Sequence, residues 1–151
     1  RIIEKKRDDM NILFFLKPKN DVAFIYDDYS VRQALETMEY HRYSSIPIIS
    51  RAGGYVGSIT EGDLLWGIKN RRNLNLKESE DIPVLTFSRK ADYKPVRADA
   101  DMEDLIVRAM EQNFVPVIDD RGNFIGIITR RDIISYCYEK AKGCFAECGK
   151  E

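Results

Sequence analysis

Several residue types are scarce in this chain of 151 residues, and their scarcity excludes some classes of protein. It contains one histidine, His41, and three cysteines, Cys137, Cys144 and Cys148. An odd number of cysteines, all near the C-terminus, is not the framework of a disulfide-built secreted fold. A lone, distant histidine gives these thiols no partner for a structural zinc site, so we expect no bound metal. The sequence assigns no role to the three cysteines.

Long apolar runs and an excess of one charge are also absent. The longest uninterrupted apolar run covers only Ile12–Leu16, whereas a helix needs about 20 apolar residues to cross a bilayer. The chain carries 24 basic and 25 acidic residues, for a formal net charge of -1. Near-neutral charge argues against a general nucleic-acid binder. We therefore expect a cytoplasmic globular protein that binds neither membranes nor nucleic acid.

The most informative feature of the sequence is a unit that occurs twice. Gly57–Leu65 returns as Gly126–Ile134 at an offset of 69 residues, and Ile46–Ile49 matches Val115–Ile118 at the same offset. Further upstream the offset becomes 71, because the second copy lacks two residues after its first helix. A repeated unit of about 50 residues is typical of two similar lobes that bury their apolar surfaces against each other.

Each copy is predicted to contain a strand, a helix, a strand, a turn, a strand and a helix. In the first copy, Ser30 and Gln33 form a capping box ahead of a helix. Ile46–Ile49 is apolar on both faces, as in a buried strand, and Gly53–Gly54 suits a tight hairpin turn. The second copy repeats this plan, with Asp101 as the cap of its first helix.

These patterns divide the chain into four parts. The first unit covers residues 10–72 and includes the end of an entry helix that is predicted over Lys5–Leu16. A polar connector with a short helix covers 73–91, the second unit covers 92–141, and a frayed tail covers 142–151.

The chemistry of the repeat lies in Gly-x-Ile-Thr-x-x-Asp, at the junction of a strand and a helix. The first copy supplies Thr60 and Asp63, and the second supplies Thr129 and Asp132. A helix N-terminus attracts anions, and a carboxylate in its first turn can accept hydrogen bonds from both hydroxyls of a ribose. The same spacing is also an ordinary helix cap. Two copies in the same context favour a ligand site over capping alone.

With this motif written twice, each time after a Pro-bearing strand, the chain resembles the CBS domain family. The resemblance covers about residues 10–141 and is to a tandem CBS pair, or Bateman module. It implies an α+β fold in which two β-α-β-β-α repeats pack by their sheets in pseudo-two-fold symmetry. It also implies two clefts for an adenosine ligand, no enzymatic activity and no catalytic residue, and assembly as a homodimer.

The expected ligand is a regulatory AMP, ADP or ATP, with S-adenosylmethionine and cyclic di-AMP as alternatives and no obligatory cofactor. The expected function is that of a sensor module that passes its occupancy by an adenine nucleotide to an unknown effector protein. A ligand-free module for dimerisation or protein interaction remains the alternative.

The two copies differ in charge between the threonine and the aspartate. The first copy has Glu61 there, and the second has Arg130 and Arg131. A phosphate would be repelled by Glu61, whereas the arginines would donate charge-assisted hydrogen bonds to it. We therefore predict that the cleft of Thr129 and Asp132 is the better nucleotide site.

Residues ahead of each first strand are expected to close the purine pockets. Ala23 is assigned to the pocket of the first copy, and Tyr93 and Lys94 to that of the second. The complete set of predicted ligand-binding residues is Ala23, Ile46, Pro47, Thr60, Asp63, Tyr93, Lys94, Val115, Pro116, Thr129, Arg130, Arg131 and Asp132.

Overall fold

Two small sheets, one for each sequence repeat, organise the chain. The computed structural model describes residues 11–71, 74–90 and 92–149. In chain order the strands and helices are β1 (Lys17–Pro18), β2 (Ile25–Tyr26), α1 (Val31–His41), β3 (Ser45–Ile49), β4 (Tyr55–Thr60), α2 (Glu61–Asn70), β5 (Val96–Arg97), α3 (Met102–Ala109), β6 (Phe114–Ile118), β7 (Phe124–Thr129) and α4 (Arg130–Cys148).

The two lobes share one plan. In the first, β3 pairs antiparallel with β4 and parallel with β2. In the second, β6 pairs antiparallel with β7 and parallel with β5. Each hairpin has a register shift at the equivalent place, between Ile48 and Ile49 and between Val117 and Ile118. The predicted α+β class with two related units is confirmed.

The leading segment of the chain crosses from the first lobe to the second. Strand β1 precedes the first repeat but pairs antiparallel with β7 of the second, with Lys17 opposite Ile127. Ile12, just ahead of β1, is fully buried in the core of the second lobe. A strand of two residues shows no periodicity, so the sequence did not indicate this crossing.

Strand alternation sorts the apolar side chains among three clusters. Ile46 and Ile48 point into the core of the first lobe, and Val115 and Val117 into the core of the second. Burial of such a side chain contributes about 1.5–3 kcal/mol. The residues that face the other way form a third cluster between the lobes, made of Val22, Ile49, Tyr93, Phe114, Phe124 and Ile127.

The two hairpin turns bind each other at the pseudo-two-fold axis. The Tyr55 N–H donates to the Gly122 carbonyl (3.2 Å), and the Phe124 N–H donates to the Gly53 carbonyl (2.9 Å). Gly53 and Gly122 have φ angles of 99° and 82°, a region in which a Cβ would be strained. These glycines therefore permit the turns that hold the sheets face to face.

The helix predicted at the start of the chain is wrong in the part that the structure describes. Its beginning, Lys5–Met10, lies outside the described residues. Ile12–Phe15 forms a single 3-10 turn instead, capped by the Asn11 side chain, which accepts a hydrogen bond from the Leu13 N–H. The first strand, which the apolar run Val22–Tyr26 predicts, is also shorter than expected, since only Ile25–Tyr26 forms β2.

The C-terminal tail differs from expectation as well. Helix α4 does not fray after residue 141 but continues to Cys148. This stretch contains Lys142, Ala146 and Glu147, which are good helix formers, and no proline that would end the helix. The connector contains two single 3-10 turns, Glu78–Asp81 and Val84–Thr86, rather than one α-helix. No helix within the described ranges is long and apolar enough to span a membrane.

Candidate functional site

A cavity of about 250 Å³ lies between the two lobes, beside the C-terminal end of β7. We call it the open cleft. Its walls come from the leading segment of the chain, from the turn into β3 and from strands β6 and β7. The lining residues are Lys17, Asp21, Val22, Ala23, Arg42, Tyr43, Ser44, Ser45, Pro47, Asn113, Phe114, Ile127 and Thr129.

Three of the predicted ligand-binding residues meet in the open cleft: Ala23, Pro47 and Thr129. Pro47 lies between two core residues of β3 and therefore faces the space between the lobes. Ile46 and Val115 point away from the cleft and are fully buried in the cores of the first and second lobes. Their side chains support the strands of the site from behind.

Asp132 is the third residue of helix α4 and follows Thr129, which lines the open cleft, and its carboxylate is not engaged. The Asp132 N–H donates to the Thr129 hydroxyl (3.2 Å). Within the described part of the chain, the half-buried Asp132 side chain has no hydrogen bond or ion pair. Only one half of a capping box is therefore formed, and the carboxylate oxygens are available to a ligand.

The equivalent aspartate in the first copy is fully engaged. The Asp63 N–H donates to the Thr60 hydroxyl (3.1 Å), and the Thr60 N–H donates to the Asp63 carboxylate (3.0 Å). The other carboxylate oxygen accepts the N–H of Lys90 (3.1 Å). Asp63 is only 7% exposed. The sequence left open whether this aspartate caps the helix or binds a ligand. In the first copy, Asp63 acts as a helix cap.

The cleft at Thr60, which we call the closed cleft, is filled by aromatic side chains. The rings of Tyr93 and Phe114 pack edge to face with their centroids 4.8 Å apart, and each residue is 5% exposed. At the equivalent positions of the open cleft stand Val22 and Ser45. Tyr93 and Phe114 thus take up in the closed cleft the volume that Val22 and Ser45 leave in the open cleft, and Phe114 also lines the open cleft.

Polar groups at the start of the second unit complete the closure. The Asp92 carboxylate accepts the Ser58 N–H (2.9 Å). The Tyr55 hydroxyl lies within hydrogen-bond distance of both the Tyr93 carbonyl (2.5 Å) and the Ser58 hydroxyl (2.8 Å). Burial raises the pKa of Tyr55, because a phenolate there would lose its hydration. These bonds place protein groups along the strand edge that a ligand would otherwise contact.

The sequence assigned Ala23 to the cleft of the first copy, and Tyr93 and Lys94 to that of the second. In the structure each of them lies at the other cleft. Tyr93 and Lys94 lie at the closed cleft of the first copy, where Gln112 binds both the N–H (3.0 Å) and the carbonyl (3.1 Å) of Lys94. Ala23 lies at the open cleft of the second copy. The cause is the crossing of each leading segment to the opposite lobe. Pro116 is buried in β6.

The cations that line the open cleft are Lys17 and Arg42. Arg42 caps α1 in the left-handed region, with a φ of 59°. Arg130, predicted as a phosphate contact, donates from its Nε to the Gln112 carbonyl (2.9 Å). Arg131 is exposed on α4. The sequence did not indicate Lys17 and Arg42 as site residues, because they lie outside the repeated motif.

The family model for the CBS domain matches residues 15–70 and 84–139. The chain belongs to the CBS domain family. The two matches correspond to the two lobes, so the tandem CBS pair indicated by the sequence is confirmed.

Curated relatives share this part of the chain. An inosine-5'-monophosphate dehydrogenase of Methanocaldococcus jannaschii is 27% identical over 114 residues, which cover 76% of the chain and 21% of the dehydrogenase. An uncharacterized 17.7 kDa protein of Acidianus ambivalens is 27% identical over 114 residues, covering 74% of the chain and 65% of that protein. The chain thus spans less than two thirds of the length of either relative.

Solved structures with the same fold include two complexes. CbpB of Listeria monocytogenes in complex with c-di-AMP superposes with a TM-score of 0.75 and 20% identity, over 88% of this chain and 98% of that one. CBSX2 in complex with AMP superposes with a TM-score of 0.67 and 22% identity, over 87% and 98%. At these identities the likeness establishes the CBS-pair fold.

The different engagement of the two aspartates predicts different effects on stability. Asp63→Ala is expected to lower the free energy of unfolding by about 2 kcal/mol, because two backbone N–H groups lose their acceptor. Asp132→Ala is expected to change it by less than about 0.5 kcal/mol. Urea unfolding of both variants measures the difference. Equal losses would contradict the assigned hydrogen bonds.

Proposed function

We propose that the open cleft binds an adenine nucleotide and that the chain is a regulatory CBS-pair module. The observation that carries this proposal is the contrast between the clefts. One is a cavity lined by Thr129, whose hydroxyl accepts the N–H of Asp132, a residue with an unengaged carboxylate. The other is filled by Tyr93 and Phe114. The complexes of CbpB with c-di-AMP and of CBSX2 with AMP support a ligand of this class.

The base and the sugar suit the inner part of the cleft. Pro47 and Ala23 provide apolar surface for a purine ring, and the Asp132 carboxylate can accept hydrogen bonds from both ribose hydroxyls. Thr129 stands at the N-terminus of α4, where helix N–H groups favour a negative charge. The cavity, at about 250 Å³, lies just below the roughly 300–1,000 Å³ of ligand pockets. We place the base and the ribose inside this cavity and the phosphates at its rim.

Lys17 and Arg42 are the cations of this rim, which also carries the carboxylate of Asp21. Each charge-assisted hydrogen bond to a phosphate contributes about 1.5–3 kcal/mol. Arg131 stays a predicted contact for a longer phosphate chain. AMP, ADP and ATP therefore fit the site best, with cyclic di-AMP and S-adenosylmethionine as alternatives.

The proposed role is sensing rather than catalysis, in the cytoplasm, with an effector protein as the recipient. A ligand in the open cleft touches Pro47 of the first lobe and Thr129 of the second. It can therefore bias the angle between the lobes if it binds one arrangement more tightly than another.

We also propose that the module forms a homodimer through its helices. Leu65 on α2 and Ile134 on α4 occupy equivalent positions in the two lobes, and they are 59% and 57% exposed. A groove beside Leu65 is lined by further apolar side chains of α1 and α2, including Met38 and Ile68. Apolar residues repeated on the outer face of both lobes favour a second copy as their cover. An interaction module without a ligand would use the same face.

Filling the open cleft is expected to abolish nucleotide binding. The double variant Val22→Tyr and Ser45→Phe copies the pair that fills the closed cleft, so it should fold and exclude the base. Asp132→Ala should weaken binding by about tenfold or more, because the ribose loses its charged acceptor. Calorimetric titration with AMP, ADP, ATP and c-di-AMP measures both effects.

Asp120→Ala, which removes a carboxylate from an exposed turn, is the matched control and should bind like the parent. If a folded double variant kept the affinity of the parent, the nucleotide would have to bind elsewhere and the proposal would fail.

The proposed dimer makes a separate prediction. Leu65→Glu combined with Ile134→Glu should convert the dimer into a monomer, because burying two carboxylates in an apolar interface is unfavourable. Leu76→Glu, at an equally exposed connector position, is the control. Sedimentation equilibrium reports the mass, and a parent that sediments as a monomer refutes the dimer while leaving the ligand proposal intact.

A further inference from the structure

A second cavity, of about 520 Å³, lies between the C-terminal half of α2 and residues 86–90 of the connector. We call it the Trp66 cavity. Trp66 is the single tryptophan of the chain, and it lies on the wall with 54% of its surface exposed. The volume is within the roughly 300–1,000 Å³ that small-molecule pockets occupy.

Differences between the two repeats shape this cavity. In the second lobe, Tyr136 projects from α4 and packs edge-on against Phe15, with ring centroids 5.6 Å apart. The equivalent residue of the first lobe is Gly67, and the Phe87 ring lies so close to it that a Cβ there would overlap the ring. Trp66 itself stands where the second lobe has Ser135. The aromatic wall is therefore specific to the first lobe.

Positive charge surrounds the aromatic wall. Arg71 and Lys90 line the cavity, and the Lys69 ammonium lies 5.1 Å from the centre of the Trp66 ring. The Arg71 guanidinium is fixed by its hydrogen bond to the Thr86 hydroxyl (3.0 Å). The acidic residue of the wall, Asp63, already accepts two backbone N–H groups. A bound anion would thus contact the cations at the rim. The Asp63 carboxylate would repel it less, because two N–H groups already donate hydrogen bonds to that carboxylate.

We propose that the Trp66 cavity binds a small aromatic anion, with its ring on the Trp66 indole and its carboxylate or phosphate between Arg71 and Lys90. The half-exposed indole offers a flat apolar face for offset stacking. Arginine and lysine supply the charge-assisted hydrogen bonds that a carboxylate or phosphate prefers. Phe87 forms the back of the cavity, where the Arg71 guanidinium already lies 5.4 Å from its ring. This site does not depend on the nucleotide in the open cleft.

Fluorine NMR tests the proposal directly, because one tryptophan gives one signal when the full chain is labelled with fluorotryptophan. The probes are naphthoate, naphthyl phosphate and the neutral naphthylmethanol. A saturable shift of the Trp66 signal is expected with naphthoate, naphthyl phosphate or both, and the response identifies which anion the site prefers. Naphthylmethanol should bind at least about tenfold more weakly, a difference of about 1.4 kcal/mol.

Variants of the wall separate this site from chance stacking on an exposed ring. Arg71→Gln and Lys90→Gln should each weaken binding of the anion by about tenfold. Asn70→Glu, which copies Glu139 of the second lobe and places a negative charge at the cavity, should abolish it. Arg97→Gln, an exposed position of the second lobe, should leave it unchanged.

Three results would overturn the proposal. The first is no saturable shift with either anion at about 1 mM. The second is equal affinity for naphthylmethanol, and the third is unchanged affinity in folded Arg71→Gln and Lys90→Gln variants.

Discussion

The hydrogen bonds that the two hairpin turns exchange across the pseudo-two-fold axis determine the rest of this structure. They link Tyr55 to Gly122 and Phe124 to Gly53, and they hold the two sheets face to face around a shared apolar cluster. The leading segment of each repeat passes along the opposite lobe, as β1 does along β7 and as Asp92 does where it accepts the Ser58 N–H of β4. Two clefts follow from this geometry before any ligand is considered.

The side chains then make the clefts inequivalent. Small residues, Val22 and Ser45, leave a cavity at one of them, whereas Tyr93 and Phe114 fill the other. A small residue also stands opposite a large one outside the clefts. Gly67 of the first lobe is equivalent to Tyr136 of the second, and the Trp66 cavity lies beside this glycine. The apolar cluster between the lobes is formed by residues of both. The backbone therefore keeps its pseudo-symmetry, although the side chains at the two clefts differ. A tandem pair can in this way devote one half to a ligand and use the other as a rigid support.

The sequence predicted the features that depend on local pattern. Both capping boxes of the first helices form, at Ser30 and at Asp101, and the hairpins lie where the repeated strands indicated. Contacts between distant segments were beyond such patterns. Asp63 and Asp132 have the same spacing from their threonines, yet only Asp63 meets the Lys90 N–H, which arrives from the connector. Likewise nothing in the motif marks Lys17 or Arg42, because both reach the open cleft through the crossing of segments.

One cleft is open and the other is filled, and the number of adenine nucleotides that each chain binds measures this difference. Native mass spectrometry of the protein with saturating AMP, ADP, ATP or c-di-AMP counts them without assuming an affinity. One bound adenine moiety per chain is the result expected from the structure. Two AMP per chain, persisting in the Asn70→Glu variant that closes the Trp66 cavity to anions, would show that Tyr93 and Phe114 do not close their cleft. None with any of these ligands would show that the open cleft is not a nucleotide site.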